Sequence, residues 1–264
     1  MRARLSRRLA AVAVAASIGA GLTVQPAYAE VPATPIVNLG FAALKLFKGP
    51  AAGADLAKAV VELIRAVTAA KDQVLVHLDA HAAARAVGEA EALSIEMLSY
   101  NTIASDEDVL AIFVMDALRS ASLDKAELNA TTDPRSADQI GQALNVAYLY
   151  VMSTIRDAGY STASVRTALQ AYIAANETIL QRLAPSCSST VQPSTSDWLV
   201  ITRHTCAGAD GTTLERSDMR NIVTGQWITP KVDVEQLRLE AGANSSWNTA
   251  RVLLPDLRAE LAGL

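Results

Sequence analysis

The sequence predicts a mainly α protein: a multi-helix bundle carrying a small, disulfide-tied C-terminal β-hairpin appendage, α+β overall. Three observations carry that expectation. Apolar residues recur at helical spacing from residue 34 to 184. After Pro185 the composition shifts to Ser, Thr and β-branched residues around an Asp210-Gly211 turn signal. Two cysteines, Cys187 and Cys206, fall at the start of that stretch. The expected organisation is a signal peptide over 1–29, a helical bundle over 30–184, and a hairpin with terminal helices over 185–264.

The first segment is a targeting signal. Arg2, Arg4, Arg7 and Arg8 precede an uncharged run from Leu9 to Val24, and Ala27-Tyr28-Ala29 follows. A basic start, an apolar centre and a small-x-small site define a secretory signal peptide, with cleavage between Ala29 and Glu30. The 16-residue run is short for a membrane anchor, which needs about 20 residues. Ser6-Arg7-Arg8 only faintly resembles a twin-arginine signal, and no Cys near the cleavage site offers a lipid anchor.

Leu56, Val60, Leu63, Val67, Ala70 and Val74 alternate at spacings of three and four, a helix face with a heptad-like seam. The Ala-rich character runs on to about Ser99, so one very long helix is expected, bent near Gly88. A second helix begins at Ser105, where Ser105 and Asp108 make a capping pattern and Leu110, Phe113, Val114, Ala117 and Leu118 the apolar face. Leu128 to Pro134 reads as looser chain. Ser136 and Gln139 open the next helix, lined by Ile140, Leu144, Ala147, Tyr148, Val151 and Ile155 and stopped at Gly159. The turn that follows is too short for anything but an antiparallel helical hairpin. Val165, Leu169, Tyr172, Ile179 and Leu183 mark its second arm, which Pro185 ends.

Ser186 to Ser196 reads as a connector. Trp198–Cys206 and Thr212–Arg216 are the expected hairpin strands, with a third strand over Asn221–Thr229. Val234–Glu240 and Ser246–Leu261 return to helix, the latter broken or restarted at Pro255.

Charge and composition narrow the partners. The chain carries −4 net charge, and −8 without the four leader arginines, so a phosphate backbone has little to attract it. Nucleic acid is not an expected partner, and no transmembrane segment is expected in the mature chain. Arg exceeds Lys 17 to 6, and alanine is abundant, a bacterial GC-rich signature. In an exported chain two cysteines imply one bond, Cys187–Cys206, worth roughly 3 kcal/mol for a loop of about 20 residues.

Candidate chemistry is sparse. His77 and His81 stand four apart on one helix face, a spacing that can chelate a metal. Leu78 follows the first of them, so the acid of a metalloprotease motif is missing, and a helix-seam role competes. Asp106, Glu107 and Asp108 belong to a first helical turn, where acids satisfy the positive helix end. His204, with Arg203, Asp218 and Arg220 nearby, offers a general base, yet no G-x-S-x-G elbow supplies a serine. Trp198, Trp227 and Trp247 build either a small core or an aromatic binding face, and Trp198, Arg203 and Trp227 are the candidates for that face.

Three function classes follow. The first is a secreted, non-enzymatic binding or structural protein that engages a macromolecular partner outside the cell or at its envelope, with no cofactor. The second is a secreted hydrolase or metal-dependent enzyme using His77/His81 or His204. The third is a membrane-active helical protein.

Overall fold

The computed structural model describes residues 33–48, 53–71, 78–194 and 196–264. These residues form a helical bundle with a small antiparallel sheet, as the periodicity and the turn signals require. The axis of the bundle is α6 (Pro134–Thr154), whose residues from Ser136 to Thr154 are all buried. Around it pack α1 (Ala33–Lys48), α3 (Leu78–Leu98), α5 (Glu107–Ala130), α7 (Thr162–Arg182) and α9 (Ser246–Gly263). This position explains the long uncharged stretch between Asp138 and Arg156: a helix enclosed on every side cannot carry solvated charges.

Burial of α6 puts polar side chains in the core, and several are tied to partners there. Tyr172 donates to Asn145 Oδ1 at 2.9 Å, and Tyr150 donates to Ser94 Oγ at 2.8 Å. Tyr148 and Tyr172 stack with ring centroids 4.8 Å apart. Such bonds offset the cost of taking hydroxyls and amides out of water, about 1–3 kcal/mol per group left unpaired.

Helix ends follow their local chemistry. Asp106, not Ser105, caps α5, accepting from the Asp108 and Val109 amides. Asp133 caps α6 with Pro134 in the first turn, and helix α5 runs on to Ala130 through the stretch expected to be looser. The turn from α6 to α7 passes through Gly159 at φ 71°, a backbone region that favours glycine. Ser161 then caps α7.

Further expectations need correction. The single long helix is two, α2 (Gly53–Lys71) and α3, which pack against each other. Their seams follow the same apolar rule, so sequence periodicity alone did not separate them; Gly88 lies inside α3 without ending it. The second correction is at Pro255, which neither breaks nor restarts α9. Both Pro255 and Arg251, whose carbonyl loses its helical partner, are exposed, which leaves that group open to solvent.

The sheet has the order β1-β2-β3: β1 (Ser186–Gln192), β2 (Leu199–Ala207) and β3 (Thr213–Asn221). The expected connector is therefore an edge strand, paired along its length with β2. Its Ser and Thr residues suit a strand half-open to solvent. The third strand expected over 221–229 is instead a turn closed by one bridge, Arg220 to Trp227. Short α8 (Val234–Ala241) covers one face of the sheet, where Leu237 and Ala241 bury Cys206. The chain then re-enters the bundle through α9, so the last 80 residues supply both the sheet and a core helix.

Candidate functional site

The β2–β3 pair carries most of the residues singled out from the sequence. Its far end gathers exposed apolar side chains. Trp198 is 47 % exposed and Trp227 43 %, and Ile222, Val223 and Ile228 are exposed with them. The backbone brings them together: Ile222 N–H donates to the Trp198 carbonyl at 2.9 Å, and the 221–228 turn folds back on β3. Asn221 holds that turn, its carboxamide oxygen accepting from the Val223 and Thr224 amides. Arg220 lies over the Trp227 ring, 5.7 Å from its centroid.

Trp198 and Trp227 thus share one end of the sheet, whereas Arg203 does not join them. It is exposed in the middle of β2, opposite Thr190 and Ser217, and alternation directs it to the face opposite His204. The arginine beside the aromatic end is Arg220. Trp247 is a core residue of α9, 8 % exposed.

Near the other end, Cys187 and Cys206 are bonded with Cα atoms 4.1 Å apart. Directly opposed residues come this close at positions where the strands exchange no backbone bonds. Two residues along, Ser189 stands opposite His204. Its Oγ lies 2.7 Å from His204 Nδ1, and His204 Nε2 lies 3.1 Å from Asp218 Oδ2. Asp218 is 2 % exposed and also accepts from the Val232 amide at 3.0 Å. The sequence places His204 and Asp218 near each other on the hairpin, with His204 as a general base, and leaves Ser189 unmarked. The signal was available: once residue 187 is bonded to 206 across antiparallel strands, 189 falls opposite 204.

His81 is exposed in the first turn of α3, and His77 lies outside the described residues. Among the described residues no group of three or more His, Cys, Asp or Glu side chains is placed to hold a metal. The acids Asp106, Glu107 and Asp108 occupy the cap and first turn of α5, as expected.

One further charged cluster lies between α3 and α5. Arg85 reaches Glu89, Asp124 and Glu127, and Glu89 also accepts from Ser120 at 2.8 Å. Burial pushes the Asp124 carboxyl up to about 7, against the opposing pull of Arg85. Glu89 also borders an open groove of about 360 Å³ lined by Glu96, Asp116 and Arg119.

No family model, curated protein or solved structure matches this chain.

Proposed function

We propose that the chain is exported, loses residues 1–29, and acts outside the cytoplasm or at the cell envelope by binding a macromolecular partner. The observation that carries the binding reading is the cluster of Trp198, Ile222, Val223, Trp227 and Ile228 at the sheet end. Single exposed apolar residues are ordinary, but several aromatic and branched side chains exposed at one end of a small appendage are the usual mark of a docking face. Holding it on a hydrogen-bonded turn limits the entropy lost on binding. The Cys187–Cys206 bond fits an oxidising compartment. Among the described residues no helix is long and apolar enough to cross a membrane.

A photo-cross-linking residue at Val223, in protein expressed with its leader in the producing cell, tests this. The expected result is one discrete adduct on a mature form that begins at Glu30, lost when Trp198 and Trp227 are both changed to Ala. Cross-linking at Val223 no stronger than at the exposed helical position Thr167 would refute the docking face. An uncleaved chain starting at Met1 would refute the export step.

A further inference from the structure

We propose that Ser189, His204 and Asp218 form an acyl-transfer site that hydrolyses carboxylic esters. This goes beyond the docking face, which sits about six residues, or roughly 20 Å, further along β2.

The hydrogen-bond order fixes the roles. Asp218 is an acceptor for the Val232 amide and, among the described residues, has no lysine or arginine paired to it. Its remaining partner is His204 Nε2, which therefore carries the ring proton. The other nitrogen, Nδ1, is left as an acceptor and receives the Ser189 hydroxyl at 2.7 Å. A nucleophile hydrogen-bonded to a base, with the base oriented by a buried carboxylate, is the arrangement by which a serine is activated.

Exposure divides along the same chain of groups. Asp218 is 2 % and His204 9 % exposed, while Ser189 is exposed on the edge strand. The reactive oxygen thus meets solvent while its activating partners are shielded. The Ser189 amide is available too. Gly208 donates to the Thr212 carbonyl at the hairpin end. Counting back from that pair by twos, His204 exchanges its backbone bonds with β3 and none with β1. Ser189, opposite it, therefore turns its own N–H toward the open edge of the sheet, where a developing oxyanion can accept it.

The reaction balances on these groups and water. Ser189 Oγ attacks the ester carbonyl carbon as its proton passes to His204 Nδ1. The tetrahedral oxyanion takes the Ser189 N–H. Collapse breaks the ester C–O bond, and His204 returns the proton to the departing alkoxide, which leaves as an alcohol. Water then attacks the acyl-serine, giving its proton to Nδ1; the carboxylic acid leaves and the proton returns to Ser189 Oγ. A single amide donor in an open setting favours an ester over an amide, whose leaving group is far poorer.

The test uses the disulfide-intact mature protein, a fluorophosphonate probe read by intact mass, and p-nitrophenyl acetate turnover. One adduct per chain is expected, on the peptide containing Ser189, and none in Ser189→Ala, whose exposed position keeps the fold intact by circular dichroism. His204→Gln is expected to slow labelling on the order of 100-fold or more. Asp218 is a positioning residue, so Asp218→Asn should shift the pH profile of labelling as well as lower its rate. Thr167→Ala, at an exposed position of α7 remote from the sheet, should label at the wild-type rate. Absence of labelling in the wild type overturns the proposal. So does an adduct or esterase rate that survives in Ser189→Ala.

Discussion

Replacing Asp138 by asparagine should flatten the dependence of stability on acid pH. Asp138 projects from α6 to the start of α9, where its Oδ1 accepts from the Ser246 amide at 2.8 Å and the Ser246 hydroxyl at 2.7 Å. Gln142 donates to the other oxygen at 3.1 Å. The carboxyl is fully enclosed, and burial raises it from its ordinary 3.8 to about 7; the Ser246 bonds oppose the rise and nearby Asp210 adds to it. In unfolded chain the group releases its proton near 3.8, whereas in the folded protein it keeps that proton until about 7. Between those values the native state binds more protons, so stability is fully present below 3.8 and is lost as pH rises through 7. At about 1.4 kcal/mol per pKa unit the loss is at most ~4 kcal/mol. Asparagine keeps an acceptor for Ser246 and cannot ionise. Urea unfolding at pH 4, 6 and 8 should show D138N within ~1 kcal/mol of wild type at pH 4 and clearly the more stable protein at pH 8. Equal slopes for the two proteins would refute the argument. So would a D138N that loses ground as pH rises, since that would make the ionised carboxylate at the α9 N-terminus a net benefit.

Asp124, raised to about 7 by burial beside Arg85, Glu89 and Glu127, acts in the same direction. The double variant D124N/D138N should therefore hold nearly constant stability from pH 4 to 8, and a retained wild-type slope would exclude both groups as its source. Replacing Cys187 and Cys206 together by serine should lower unfolding free energy by roughly 3 kcal/mol in non-reducing urea titration, the value for closing a loop of this length. A loss under ~1 kcal/mol would mean that the paired strands and α8 hold the sheet without the bond.

Local signals in the sequence marked most of the elements, and non-local ones carried the site. Helix α6 is marked to within a few residues by the Ser136/Gln139 pattern after Pro134 and by the Gly159 stop, and the hairpin by Asp210-Gly211, because each rests on backbone rules acting within four residues. The division into α2 and α3 left no such mark, since two Ala-rich helices packed together repeat one pattern. Strand β1 was hidden for a different reason: an edge strand of Ser and Thr has no apolar alternation to betray it. The capping residues Asp106 and Asp133 were each one to three places from the residues expected, as competing Ser and Asp side chains are nearly equivalent caps. Asp138 shows the limit most plainly. It reads as an acid at the start of an amphipathic helix, and only the return of α9, more than a hundred residues later, makes it a buried cap. Ser189 likewise gains meaning from a register that the disulfide sets.

The junction of α6 with α9 also explains a glycine. A Cβ at Gly141 would lie 2.7 Å from Ser246 Oγ and 3.1 Å from its Cβ, closer than such atoms pack. The start of α9 must therefore move, or Ser246 must turn, and either change weakens the bonds to Asp138. Against this stands the gain from removing glycine from a helix, about 1 kcal/mol when the site is open. Gly88, inside α3, is such an open site, with nothing within 4 Å of an added Cβ. Gly88→Ala should thus stabilise by ~0.5–1 kcal/mol, while Gly141→Ala should destabilise by ~1–3 kcal/mol as an overpacked contact. Because Gly141 and Asp138 act on the same residue, Ser246, their effects should not add. At pH 8 the G141A/D138N pair should depart from the sum of the singles by more than ~0.5 kcal/mol, whereas G88A/D138N should add within that margin. Additivity in both pairs would show that α9 docks on α6 without the Asp138–Ser246 contact, and that its position is set by the apolar faces of Trp247, Leu253 and Leu257 alone.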